Sequence, residues 1–361
     1  MTALGRPEAS ARETRWGSLT DEELLTVQWF TGDPLSLPGM QPRVPANLDD
    51  FEVELEYKLN PGEEVLCGHC PQHQKHRNGF VLRDNHGKRY LLGSTCGPKA
   101  YGADYRMASN ARAKALRRYG ALVKWRTLRA SLQMEIEAFA TEAAAETTKA
   151  VRRMRAAMER EAPRTLSAIR GVRPWGVQSE RRIVIISTAR DKAQEEEANA
   201  RFYRAAAALT EERLSNKVHS QRIRALKEDL GYGKEIVTSK EQDLGALTGA
   251  EWLIVPQCPA KRLSDATARL RALYAIGAVT DGCDVRMINS WSHETEKELA
   301  AALSAIEAIS AAAAFFEPSH LAALAAWLSG QPRPPCTALA EGRTLTLYEP
   351  GSEAVVLQPL H

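Results

Sequence analysis

CGHCPQHQKHRNGFVLRDNHGKRYLLGSTCGPKAYG, residues 67 to 102, carries three of the six cysteines of this 361-residue chain. Cys67 and Cys70 are separated by Gly68 and His69, and Cys96 follows later in the same run. A Cys-x2-Cys turn presents two thiolates to one side of an ion, and zinc takes four soft or borderline donors in a tetrahedron. Gly68 suits the tight backbone of such a turn. Phe80-Val81-Leu82 and Tyr90-Leu91-Leu92, joined through Asp84-Asn85-His86-Gly87, have the pattern of a hairpin. Gly93-Ser94-Thr95-Cys96 then ends the second strand and opens a helix, whose N-terminal partial positive charge favours a thiolate. The expected ligands are Cys67, Cys70, Cys96 and one histidine. His76 is favoured over His73, because the chain needs a few residues to wrap the ion after Cys70. His69 lies inside the turn and His86 at the far hairpin tip. No spare carboxylate accompanies these donors, so the expected cofactor is a structural Zn2+ in a closed site.

This run resembles the treble-clef-like zinc segments of many uncharacterised bacterial and phage proteins, which carry Cys-x2-Cys, a hairpin, then Gly-x-x-Cys at a helix start. The resemblance covers roughly a tenth of the chain and implies a fold and a metal, not an activity. The treble-clef pattern places two ligands on its helix, whereas here only Cys96 is present.

Beyond this segment the composition, 26% charged and 44% hydrophobic, is that of an ordinary globular protein with room for two or three domains. Cysteines concentrated in one window indicate a metal site and not a disulfide framework, and Cys258, Cys283 and Cys336 read as small buried apolar side chains. The first residues, MTALGRPEASARETRWGS, have no apolar core of the kind a signal peptide needs, so a cytoplasmic protein is expected. The Ala-rich stretch from Leu299 to Phe316 contains Glu307 and reads as a packed helix, too short for a membrane span.

Thr20 and Glu23 have capping-box spacing ahead of a short helix, and the Pro- and Gly-rich residues 32 to 45 form a loop. Phe51, Val53, Leu55, Tyr57 and Leu59 alternate as in a half-buried strand. From Arg106 to Glu161, Trp125, Leu128, Leu132, Ile136 and Phe139 step by three and four, and Pro163 should stop the helix. A second helical run spans residues 189 to 230, after a buried strand at residues 182 to 187. Later segments read as a strand at Trp252 to Val255, a helix capped by Ser264, a helix pair at 295 to 316 and 318 to 328, and a hairpin at 344 to 347 and 354 to 357. The expected class is α+β, mainly α: a small zinc-bound β-hairpin module joined to a long antiparallel, coiled-coil-like helical hairpin and a C-terminal mixed, mostly helical region. Its expected divisions are residues 1 to 45, 46 to 104, 105 to 235 and 236 to 361.

Net charge is only +3, yet residues 61 to 130 hold 14 Lys and Arg against four acids, a local excess of +10. Lys75, Arg77, Lys99, Arg106, Arg112, Lys114, Arg117, Arg118 and Lys124, interleaved with Tyr101, Tyr105 and Trp125, suit phosphate neutralisation and base stacking. Nucleic-acid binding is therefore expected. A protein scaffold, self-associating or partnering through the long helices, is the alternative, and an enzyme with an unrecognised site is the third. No catalytic residue is assigned. The deaminase His-x-Glu, the metalloprotease His-Glu-x2-His and a phosphate loop after Gly171 are all missing.

Overall fold

The computed structural model describes residues 14–45, 48, 50–72, 74–172, 174–175, 180–211, 216–331 and 333–359. Two compact units divide the chain: Met1–Phe139 with Ala266–Ala300, and Ala140–Asp265 with Ala301–His361. Helices and strands are both present and helices dominate, so the class is α+β, mainly α.

The first unit opens with α1 (Arg15–Ser18) and α2 (Asp21–Thr26). The expected capping box starts α2: the Thr20 hydroxyl accepts from the Glu23 N–H at 3.3 Å, and the Glu23 carboxylate accepts from the Thr20 N–H at 2.8 Å. The strands are β1 (Phe30–Thr31), β2 (Met40–Gln41), β3 (Phe51–Lys58), β4 (Val65–Leu66), β5 (Lys75–His76), β6 (Asn78–Asp84) and β7 (Arg89–Gly93). Five of them form a mixed sheet in the order β1-β3-β6-β7-β2, while β4 and β5 pair separately.

Alternate side chains of a strand point to opposite faces, and this sheet is covered on both. Leu82, Tyr90 and Leu92 pack on one face with Val53, Tyr105 and Ala108; Val81 and Leu91 pack on the other with Leu55, Tyr57 and Val65. The apolar series of β3 is thus divided between the faces. A bulge between Val53 and Leu55 inserts one residue against Leu82 and Val81 and flips the pattern that simple alternation predicts.

Helix α3 (Cys96–Ala144) begins at Cys96 as expected and is interrupted at Gly102, whose φ is 48°. Beyond the interruption, Ala115, Leu122 and Trp125 join Trp16, Leu24 and Trp29, together with Leu273, Ile288 and Trp291, in a second apolar core. Asp21, at the start of α2, is fixed there by Arg118 through bonds of 2.5 and 2.9 Å.

The second unit contains α4 (Glu146–Glu161) and α5 (Pro163–Gly171). The uninterrupted helix expected over residues 106 to 161 is therefore broken at Ala145, whose ψ of 146° is extended, although no breaking residue stands there. Pro163 ends the run as expected and becomes the first residue of α5. Then come β8 (Pro174–Trp175), β9 (Glu180–Arg190), α6 (Lys192–Glu211), α7 (Asn216–Asp229) and β10 (Val237–Ala246). β9 pairs with β10 from Arg190↔Val237 to Arg182↔Ala246. The polar sequence of β10 carries no strand periodicity, which is why only its partner is legible. The second expected helix is α6 and α7, and the helical hairpin observed is formed by these two: the Phe202 ring lies 4.1 Å from that of Tyr232, just beyond α7.

Residues 252 to 255 correct another expectation. They belong to α8 (Glu251–Ile254) and its cap, not to a strand. Fully buried Arg155 donates to the carbonyls of Trp252, Leu253, Val255 and Pro256 at 2.6 to 3.3 Å, satisfying the acceptors that a helix end leaves open. α9 (Pro259–Ile276) starts earlier than expected, and Ser264 bonds the Ala260 carbonyl within it instead of capping it. α10 (Val285–Phe315) also starts earlier than its alanine run suggests. At 31 residues it is longer than the alanine-rich stretch alone and is long and apolar enough to cross a membrane, as the core helix of a packed protein can also be. Of its most apolar window 44% is buried within the protein, with Ala302, Ala305 and Phe315 buried as in a packed helix. α11 (Pro318–Ser329) packs on a three-stranded sheet of β11 (Thr337–Glu341), β12 (Thr344–Tyr348) and β13 (Val355–Leu357), which contains the expected terminal hairpin.

Candidate metal centre

Cys67 follows β4, and its N–H donates to the Gln74 carbonyl at 3.0 Å, extending the β4-β5 ladder beyond Val65↔His76 and Leu66↔Lys75. On such a ladder same-face residues recur every second position, so His76, opposite Val65, shares the face of Cys67. Cys67 is fully buried. Burial alone would raise its thiol pKa, but N–H groups of Gly93, Cys70 and His69, with the Cys70 thiol, together lower it. The turn therefore holds a sulfur prepared to be a thiolate, the form that binds metal.

Cys70 and Cys96 are half-buried, and their Sγ atoms lie 3.1 Å apart. The hydrogen bond to Cys96, then burial and the Cys67 sulfur, push Cys70 up to about 12. All three sulfurs lie within 4.8 Å of one another. Tetrahedral zinc with Zn–S bonds of about 2.3 Å sets sulfurs about 3.8 Å apart, which this cluster can accommodate. Three thiols crowded together, one of them raised by its neighbours, form a donor set that a divalent cation would relieve.

His76 stands outside that group of three. Its Nδ1 is 2.8 Å from Tyr57 Oη, while Nε2 is buried and has no hydrogen-bond partner among the described residues. Burial lowers its pKa, which favours the neutral form that a metal-binding imidazole requires. His73 lies outside the described residues. His69 is exposed, with its ring 5.8 Å from that of Tyr101, and the His86 N–H donates to Asp84 in the hairpin turn. Tyr57, read from sequence only as part of an apolar face, is 1% exposed. Burial, followed by the nearby Cys67 and Cys96 sulfurs, raises its phenol far above the ordinary range. No sequence signal could have linked it to the centre, since only the folding of β3 against β6 brings it there.

The nine expected phosphate contacts divide in two. Arg112 is buried, donates to the Trp29 carbonyl at 2.8 Å and stacks over Trp29 and Phe30. Arg118 binds Asp21 and the carbonyls of Cys283 and Thr280. Lys124 pairs with Glu296 at 2.9 Å on the surface. Lys75, Arg77, Lys99, Arg106, Lys114 and Arg117 are exposed. Tyr105 and Trp125 are buried in the two cores; Tyr101 stays half-exposed.

No family model, no curated protein and no solved structure matches this chain.

Proposed function

We propose that this protein binds one structural Zn2+ through Cys67, Cys70, Cys96 and His76, and binds nucleic acid across the surface surrounding that clasp. The observation that carries the metal assignment is the convergence of three sulfurs within 4.8 Å from two separate parts of the chain. The buried, unpartnered Nε2 of His76 supplies the fourth donor. Closed Cys3His sets of this kind hold a fold together and do not turn over substrate. Free thiols kept for a metal suit a reducing compartment such as the cytoplasm.

The nucleic-acid reading is supported by the seven of these nine cations that are exposed, Lys124 among them. On a helix of 3.6 residues per turn, Arg106 and Arg117 lie on one face about 16 Å apart, and Lys124 continues that face about 10 Å further on. Its exposed pair with Glu296 contributes little and can be exchanged for a phosphate. Tyr101 offers a half-exposed ring close to Lys99 in sequence. A second reading, a protein scaffold, is favoured by α7, which has no buried residue, and by Tyr203, 60% exposed beside it.

Metal analysis of the purified chain, with titration of single- and double-stranded DNA and RNA at two salt concentrations, tests both parts. One zinc per chain and affinity that falls steeply with salt are expected. Zinc without nucleic-acid binding would transfer the function to the α6-α7 hairpin and a protein partner. Absence of zinc under reducing conditions would overturn the metal assignment.

A further inference from the structure

We infer that Tyr57 is a positioning residue for the metal centre, its hydroxyl fixing the tautomer of His76 so that Nε2 presents a lone pair to the ion. This inference rests on His76 being the fourth ligand. A phenol has one hydrogen to donate and can also accept. Tyr57 Oη lies 3.3 Å from the Leu92 carbonyl, which can only accept, and 2.8 Å from His76 Nδ1. With the hydroxyl hydrogen directed at Leu92, the oxygen accepts from Nδ1–H, and a neutral imidazole protonated at Nδ1 keeps its lone pair at Nε2. The opposite arrangement would bury an Nε2–H donor where the described residues offer no acceptor, a costly state.

The backbone leaves room for this network at two glycines aligned in one row across three strands, Tyr57↔Gly79↔Gly93. A Cβ on Gly79 would stand 2.5 Å from Tyr57 Oη and 2.2 Å from the Leu92 oxygen. A Cβ on Gly93 would stand 3.0 Å from His76 Cδ2 and 3.4 Å from Nε2. The imidazole therefore lies against the glycine whose N–H bonds the Cys67 sulfur. One row of the sheet thus shapes the seat of the histidine and holds the first cysteine. Partners that orient a ligating histidine in this way typically change metal affinity 10- to 100-fold when removed.

The test compares the full-length wild type with Tyr57→Phe and His76→Ala. Zinc affinity is measured by chelator competition, and the imidazole state by 1H–15N correlation of the zinc-loaded protein. In the wild type, His76 should show a protonated Nδ1 and a metal-bound Nε2. Tyr57→Phe should weaken zinc binding by about 10- to 100-fold, with the Nδ1–H signal displaced and exchanging faster. A purely structural tyrosine would lower thermal stability while leaving the affinity and the imidazole signals in place, and that result would overturn the inference while His76 remained a ligand. Metal bonded at Nδ1 would likewise overturn the inference with His76 still a ligand, whereas His76→Ala with unchanged affinity would remove the ligand assignment on which it rests.

Discussion

Replacing Arg118 by Met separates a structural arginine from a nucleic-acid contact. The Asp21 carboxylate is 3% exposed and receives two hydrogen bonds from the guanidinium, at 2.5 and 2.9 Å. The same guanidinium also satisfies the carbonyls of Cys283 and Thr280. Removing one member of a buried, hydrogen-bonded pair costs about 3 to 5 kcal/mol. Because the Arg118 side chain keeps 21% of its surface in solvent, the low end applies, about 3 kcal/mol. With a urea m-value of about 1 to 3 kcal/mol per molar, the midpoint should fall by about 1 to 3 M. Tryptophan fluorescence is the assay, since Trp16, Trp29, Trp125 and Trp291 share the adjoining core. Adding Asp21→Asn to the variant should cost little more, or recover stability, because the two side chains form one unit.

Acid dependence gives an independent check. Burial pushes the Asp21 carboxyl up, but the bonds and charge of Arg118, with Thr280 and Arg126, outweigh it and leave the carboxyl below its ordinary value of 3.8. A depressed carboxyl contributes stability that is complete above the unfolded pKa and lost as pH falls through the folded one. The wild type should therefore lose this contribution only below about pH 4. Without Arg118 burial dominates, the carboxyl is raised, and the deficit should shrink as pH is lowered toward that range. A loss under about 1 kcal/mol, or a folded variant with weakened nucleic-acid binding, would refute this account of Arg118.

Arg106→Glu with Arg117→Glu, both on the exposed face of α3, should leave stability within about 0.5 kcal/mol while lowering nucleic-acid affinity and its salt slope; gel-shift titrations at two salt concentrations check this. Gly79→Ala should destabilise the first unit by about 3 kcal/mol or more and reduce bound zinc, measured by denaturation and metal analysis, because its Cβ meets backbone at 2.2 Å. Arg155→Met should cost about 1 to 3 kcal/mol for the buried carbonyls left without a donor and leave zinc content unchanged. It strips the cap from α8, in the unit that holds no metal ligand.

The sequence alone determined the elements whose information is local. Cys67, Cys70 and Cys96 stand out by spacing, the β6-β7 hairpin by alternation and its Asp84-to-Gly87 turn, α2 by its capping box, and the stop at Pro163 by the missing N–H. Each depends on neighbours a few residues apart, where steric preference and periodicity act directly. The misses depend on distant partners. β10 becomes a strand because β9 offers it a hydrogen-bonded edge, and residues 251 to 254 become a helix capped by an arginine about a hundred positions away. Arg112 and Arg118 look like their exposed neighbours in composition, yet the fold buries one under Trp29 and locks the other to Asp21. Tyr57 reaches His76 only because a bulge at Glu54 turns it to that face of the sheet. Charge and periodicity belong to the chain, whereas burial, tautomer and pairing belong to the packed structure, because desolvation acts only once distant segments have met.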